Sequence, residues 1–460
     1  MTQNAKGTAM ADIYLPSYVQ TAINTLEEHG HAAYAVGGCV RDSLLGRKVN
    51  DYDVCTDAQP EETAEIFSSF HVIETGIKHG TVTVRIDHQP IEITTFRLEG
   101  DYSDGRHPDS VDFTSDIAAD LSRRDFTINA MAYSDRRGLI DPFGGQDDLN
   151  NKIIRCVGDP KKRFFEDGLR ILRALRFASA LSFDIDKETS DAVLDLKDRL
   201  SLISRERIRD ELLKLLTGDG MSDILLNYMD VITYIIPELL PTIGFNQNNP
   251  HHDHDLYEHL VLSASSIKKD PILRLAALLH DVEKPSTASL DDNGISHYYS
   301  HAEKSSESAK RIARSLRCSN AEIERISVLI KYHDGVIEET DKAVKRRLNQ
   351  LGNDGLFDLL DLQRADNLAQ KKEKPIERLK HNDNLRDIAN RLICENACVR
   401  TNTLAINGNE IIRLGYRGRQ IGKALSLLLD AVINGEVENE EKALIDFIND
   451  KRDVISSVKP

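Results

Sequence analysis

No stretch of this chain stays apolar over the roughly 18 residues that a helix needs to cross a bilayer. The most apolar segment, DILLNYMDVITYIIPELL (223–240), is broken by Asn227, Asp230 and Pro237. This excludes a helical membrane protein. The amino-terminal MTQNAKGTAMADIYLP lacks the apolar core of a secretory leader. Cysteine is scarce: Cys39, Cys55, Cys156, Cys318, Cys394 and Cys398 are scattered over 460 residues. Such sparse thiols exclude a disulfide framework and predict a reducing, cytoplasmic setting. No segment repeats at a fixed period and no tract is of low complexity, which excludes solenoids and arrays. Positive charge is also short, with 59 Lys and Arg against 75 Asp and Glu, a formal net charge of -16. A protein so acidic does not coat nucleic acid by bulk charge.

The basic residues that are present come in islands. Residues 161–176 hold Lys161, Lys162, Arg163, Arg170, Arg173 and Arg176 against Glu166 and Asp167; DKAVKRR (341–347) and KKEKPIERLK (371–380) are two more. Length predicts two to four domains. Up to about residue 150 the pattern is mixed. SYVQTAINTLEEHG reads as an amphipathic helix stopped by Gly30. AAYAV, DYDVC, TVTVRI and IEITTF read as short strands between turn residues. From about residue 160 only helical periodicity remains. The predicted fold is an α/β head, with a small mixed β-sheet and helices, followed by an all-α neck, body and tail.

The head carries the first chemistry. Gly37 and Gly38 sit where a strand turns into a helix, and a glycine pair there lets backbone N–H groups approach a phosphate. Asp51 and Asp53 flank Tyr52 on a predicted strand, so their carboxylates share a face. Paired oxygen ligands suit Mg²⁺ or Mn²⁺, and two such ions can clamp the attacking and leaving oxygens of a phosphoryl displacement. Glu92, between Ile91 and Ile93 on another predicted strand, is the candidate third ligand.

These residues resemble the polymerase-β nucleotidyltransferase superfamily. GGCVRD, DYDV, RRDFTINAMA (123–132), DPFGG (141–145), EDGLRILRALRFA and SRERIRDEL (204–212) follow in order over residues 32–215. Together they resemble the bacterial class II CCA-adding tRNA nucleotidyltransferase and poly(A) polymerase family. The resemblance implies four parts: a nucleotidyltransferase head (1–150), a helical neck with a base-reading helix (151–245), a helical body (246–375) and a tRNA-binding tail (376–460). It implies that a tRNA 3′-OH attacks the α-phosphate of CTP or ATP at a two-metal Mg²⁺ site held by Asp51, Asp53 and Glu92. A poly(A) polymerase and a CC-only or A-only enzyme are the alternatives within the family. The acidic last thirty residues speak against the former.

An enzyme of this kind has no template, so protein groups choose the base. Cytosine and adenine both present an amino donor beside a ring-nitrogen acceptor; guanine and uracil present the reverse. A carboxylate only accepts and a guanidinium only donates. An Asp beside an Arg therefore pairs with C or A, and mispaired buried groups cost factors of roughly 10⁴. The resemblance carries this role onto Asp167 and Arg170, spaced to share a helix face. It also places Gly38, Arg41, Arg124, Arg173 and Arg176 at the nucleotide, with Asp125 buttressing Arg124, and Arg205, Arg207 and Glu211 orienting the reading helix. Arg176 is about half a turn from Asp167 and has a second reading, a salt bridge to the neighbouring helix. RLEGDYSDGRHPDS (97–110) reads as a mobile loop.

A second constellation lies in the body. His259, His280, Asp281 and Asp366 resemble the metal site of an HD domain, with His301 and His333 as ligands of a possible second metal. The resemblance implies a divalent transition metal and hydrolysis of a phosphate ester. The motif reads HDVEK, with Glu283 where the HD pattern has glycine, and a long acid there can block or replace a ligand. A reading from another class follows: an HD phosphohydrolase whose head only binds RNA. In the tail, Arg417, Arg419 and Lys423 are candidate contacts to the tRNA backbone.

Overall fold

The computed structural model describes residues 13–77, 80–100, 110–247, 254–292, 296–370 and 376–456. The predicted loop at 97–110 falls largely outside them. The chain divides into two compact units, Met1–Pro237 and Glu238–Pro460.

The first unit opens with α1 (Ser17–Glu28), β1 (Ala33–Val36), α2 (Gly38–Leu44), β2 (Asp53–Thr56) and α3 (Pro60–Ile66). Then come β3 (His71–Ile73), β4 (Thr81–Ile86), β5 (Gln89–Thr95), β6 (Arg97–Glu99), β7 (Val111–Phe113) and α4 (Ile117–Ser122). β8 (Ala132–Ser134), β9 (Gly138–Ile140) and α5 (Gly145–Asn151) complete the head. Seven strands form one sheet in the order β3-β4-β5-β2-β1-β8-β9. Only the β2–β5 pairing is parallel within it. β4 alternates buried and exposed positions, as a half-covered strand should. β1 is buried throughout, and Tyr34 and Val36 pack there with Cys55, Phe96, Leu121 and Ala132.

The neck consists of β10 (Ile153–Ile154), α6 (Pro160–Glu166), α7 (Leu169–Leu181), β11 (Asp184–Ile185), α8 (Lys187–Asp195), α9 (Arg205–Leu216), α10 (Met221–Asn227) and α11 (Met229–Ile235). Leu169, Leu172 and Leu175 of α7 are buried, and α7 lies against α9. Ser179 at the end of α7 donates its hydroxyl to the Leu215 carbonyl at 2.7 Å.

The second unit holds α12 (Leu256–Ser266), α13 (Pro271–Leu279), α14 (Lys284–Thr287), β12 (Ala288–Leu290), β13 (Ser296–Tyr298), α15 (His301–Ser315) and α16 (Asn320–Tyr332). α17 (Asp341–Gln370) breaks at Gly352, where φ is +73°. α18 (Ile376–Cys394) follows, then α19 (Gly408–Arg413), α20 (Arg419–Asn434), α21 (Glu441–Asp450) and α22 (Arg452–Ser456), gathered on Ile411, Leu428, Leu444 and Ile448. The expectation of no strands beyond residue 160 is therefore corrected. β11 pairs with β10, and β12 with β13, in ladders of two and three residues, too short to show a period.

Gly218 lies where the end of α9 meets α7. A Cβ on it would stand 2.5 Å from the Ser179 carbonyl. Gly218→Ala should therefore lower the stability of the first unit by about 1–3 kcal/mol, read as a lower urea midpoint with an unchanged slope.

Candidate functional site

β2 begins at Asp53, and Asp51 lies two residues before it in the connection from α2. The expected pair on one strand is thus corrected to one strand residue and one residue just outside it. The parallel register sets Asp53 directly beside Glu92. The Asp53 carboxyl keeps contact with solvent, yet its pKa lies above the ordinary range. Desolvation by the surrounding strands is the largest cause and Glu92 the next; Asp51 adds to them and Arg124 opposes. Three acids crowded in this way favour a bound cation, and oxygen donors suit a hard one. They are spaced more loosely than the 4.8 Å grouping found in the second unit.

The glycine turn faces two guanidiniums. Gly37 has φ +80°, and a Cβ there would stand 3.0 Å from Arg124 Nη1; one on Gly38 would stand 3.6 Å from Arg41 Nη2. Arg124 is held by Asp120, which is 1% exposed, at 3.4 Å. Asp125 does not buttress Arg124 as expected, because it turns to Arg173 instead, accepting from Nε at 2.8 Å. Arg41 Nη1 donates to Asn129 Oδ1 at 2.6 Å, and its Nε to Asp42 at 2.9 Å.

The arginine ladder needs a further correction. Asp167 is extended (φ -142°, ψ 106°) and lies between α6 and α7, so it shares no helix face with Arg170. A turn links them instead, with the Arg170 N–H donating to the Asp167 carbonyl at 3.0 Å. Asp167 Oδ1 accepts from the Leu169 N–H at 3.0 Å and Oδ2 from Arg207 Nη2 at 2.8 Å. Arg170 donates to Glu166 at 2.7 Å and to the Arg123 carbonyl at 3.1 Å. Arg176 forms the salt bridge to the neighbouring helix, 2.5 Å from Glu211 of α9. The helical run ends at the extended Asp167, and Gly168, which caps α7, was the one signal available for the break. Asp120, Glu166 and Asn129 were missed as partners; Asp120 stands four residues before Arg124, which is helical pairing distance.

In the second unit His259, His280, Asp281 and Asp366 bring ligand atoms within 4.8 Å of one another, as do Asp281, His301 and His333. Each histidine gives Nδ1–H to a backbone carbonyl. His259 donates to Ala369 at 3.4 Å, His280 to Ala277 at 2.7 Å, His301 to Tyr298 at 2.6 Å and His333 to Ile330 at 2.7 Å. Since a carbonyl only accepts, every Nε2 lone pair is left facing the carboxylates. His259 Nε2 is 3.1 Å from Asp366 Oδ1, and both His301 and His333 Nε2 are 3.2 Å from Asp281 Oδ1. Acceptor then faces acceptor, and only a proton or a metal ion relieves that. Burial works against charge on His280, but Asp281 and Asp366 outweigh it and lift the pKa to about 10. The donor set fits a divalent metal, and imidazole-rich sites suit transition metals. Glu283 does not intrude: Ser286 and Ser308 hold its two oxygens outside the cluster. Lys284 enters instead, with Nζ 2.5 Å from Asp281 Oδ2.

The geometry accords with known proteins over almost the whole chain. Residues 33–155 match the Poly A polymerase head domain, 182–242 the "Probable RNA and SrmB- binding site of polymerase A", and 294–448 tRNA nucleotidyltransferase domain 2. A CCA-adding enzyme of Lactobacillus helveticus is 32% identical over 443 residues, covering 96% of this chain and 98% of that protein. The chain belongs to the CCA-adding enzyme family. A CCA-adding enzyme of a Geobacillus species is 48% identical over 196 residues, 43% of this chain and 48% of that protein. The Bacillus stearothermophilus CCA-adding enzyme, solved in complex with CTP, matches with a TM-score of 0.70 at 28% identity, over 96% of this chain and 98% of that one. Membership of this family carries with it the use of a divalent metal.

Asp125 supplies a pH-dependent test. Burial pushes its carboxyl up, but Arg173 and then the Asn129 amide pull it down, from 3.8 to about 2. A depressed folded-state value stabilises the protein above the unfolded pKa and is lost as pH falls through about 2. Between pH 4 and pH 2 the urea midpoint should therefore fall more steeply for wild type than for Asp125→Asn, a difference of about 2 kcal/mol.

Proposed function

We propose that this chain is a CCA-adding tRNA nucleotidyltransferase. It adds C, C and A to the tRNA 3′ end from CTP and ATP in the cytoplasm. The observation that carries the reading is the register pairing Asp53 with Glu92, beside a glycine turn faced by Arg41 and Arg124, in a chain resembling a CCA-adding enzyme over nearly its full length. Asp51, Asp53 and Glu92 would hold Mg²⁺, which supplies Lewis-acid polarisation of the α-phosphate and eases loss of the 3′-OH proton. The 3′ oxygen forms a bond to the α-phosphorus while the bond to the β-phosphate oxygen breaks, and pyrophosphate leaves with the electron pair. Gly38, Arg41, Arg124 and Arg173 bind the nucleotide.

Asp167 and Arg170 read the base, and their partners fix them in place without exhausting them. A carboxylate offers about four lone-pair sites and a guanidinium five donors. Arg176 steadies the reading helix through Glu211. Residues 151–245 serve as the neck and 376–460 as the part that holds tRNA, with Arg417, Arg419 and Lys423 toward its backbone.

The histidine cluster favours a second activity, hydrolysis of a phosphate ester at an HD-type centre of one or two transition metals. The observation behind it is the four-fold Nδ1–H donation that turns every Nε2 toward the acids of the cluster.

The main test gives protein and Mg²⁺ three RNAs: a tRNA ending before CCA, one ending after CC, and an unrelated RNA, with each nucleotide separately. C onto the first and A onto the second supports the reading. C alone or A alone makes this a partial enzyme, and A onto the unrelated RNA makes it a poly(A) polymerase. Asp51→Ala should lower extension at least about 10³-fold and leave the metal content of the histidine cluster unchanged. His280→Ala should do the reverse. Selectivity is tested with Asp167→Asn, whose amide can donate to the carbonyls of U and G. Incorporation of U and G relative to C should rise about tenfold or more. An unchanged ratio removes Asp167 from base reading.

A further inference from the structure

Phe177 has no polar atom and no place in the chemistry above, yet three arginines surround its ring. The guanidinium carbon of Arg176 lies 3.8 Å from the ring centroid, that of Arg41 5.1 Å and that of Arg173 5.4 Å. The ring is 6% exposed and meets Phe126 edge-on, with centroids 5.7 Å apart. The cations come from separate elements, Arg41 from α2 in the head and the other two from α7 in the neck. A chain of polar contacts closes around the ring. Arg41 donates to Asn129, the Asn129 amide donates to Asp125 Oδ1 at 3.1 Å, and Arg173 donates to Asp125 Oδ2.

Three guanidiniums gathered on one spot repel one another, and Arg173 contributes to lowering the Arg176 pKa, second to burial and against Glu211. An aromatic face attracts cations through its quadrupole. The ring adds this attraction without taking an N–H donor, so Arg41, paired with Asp42, and Arg173, paired with Asp125, keep their remaining donors for a phosphate. The closest cation, Arg176, is tied down behind the ring by Glu211. The other two stand farther from the ring centroid.

We propose that Phe177 is a positioning residue for nucleotide binding, stacked on Arg176 and presenting Arg41 and Arg173 to the triphosphate and sugar. The proposal rests on the reading of these two arginines as nucleotide contacts. It distinguishes Phe177 from an ordinary core phenylalanine, whose loss costs stability alone.

The test measures dissociation constants for Mg²⁺-CTP, Mg²⁺-ATP and inorganic tripolyphosphate on the full chain, with steady-state extension alongside. Phe177→Leu keeps an apolar side chain of similar size and removes the ring. It should weaken all three ligands about tenfold, the size of two cation–ring contacts, and raise KM with them. Both kcat and the preference for C and A over U and G should stay within about threefold of wild type. Phe177→Met should behave alike and decides the matter if the leucine variant does not fold. Phe177→Tyr, which restores the ring, should return binding to within about threefold of wild type. Wild-type affinity in the leucine or methionine variant, or a tyrosine variant as weak as leucine, overturns the proposal. A wild type that binds CTP but extends no tRNA overturns the proposed function while the binding comparison still decides the role of Phe177.

Discussion

A charge taken out of water must find an opposite charge, or it makes the fold pay for its exposure elsewhere. That requirement organises both constellations in this protein. Around α7 it is met by groups of opposite charge: Glu166 for Arg170, Asp125 for Arg173, Glu211 for Arg176 and Arg207 for Asp167. In the histidine cluster it is met only in part, because four Nε2 lone pairs converge on two acids. In the head the three acids have Arg124 as their offsetting cation. Where a group is paired it is held in position with donors or lone pairs to spare, and where acids or lone pairs remain in excess a cation has a place.

Much of this could be read from the amino-acid sequence, for reasons that differ by element. α1 and the strands around Tyr34, Val82 and Ile93 follow from local periodicity, and the structure keeps them. The residues of the histidine cluster were legible through the resemblance of HDVEK and its partner histidines to the HD pattern. The side on which Asp51 sits was not, since β2 begins only where its pairing begins. β5 starts at Gln89, and the pairing with β2 runs only from Asp53↔Glu92 onward. Such long-range registration leaves no trace in a dipeptide pattern.

The ladder shows the same limit. Regular spacing of three suggested one helix from Glu166 onward. The extended Asp167 splits it, and the proposed base-reading pair then straddles a break. The break matters for specificity, because a carboxylate at a helix entrance is set by its own cap and by Arg207. Its orientation need not follow the helix that carries Arg170. The partner of Arg124 was misassigned for a related reason. Asp125 is adjacent in sequence, but adjacent residues point apart, and Asp120 one turn earlier meets the guanidinium.

The pairing also changes what the basic island at 161–176 means electrically. Lys161, Arg163, Arg170, Arg173 and Arg176 each stand within ion-pair distance of a carboxylate. With Glu166 serving both Arg163 and Arg170, the run of positive charge along the sequence is largely a set of short dipoles in space. Dipole fields fade faster than those of single charges, and beyond a Debye length of about 8 Å little remains. An RNA approaching from afar would feel the acidic bulk and almost nothing of the ladder. Its donors become apparent only to a molecule already within hydrogen-bonding reach, which places discrimination at contact, after the encounter is over.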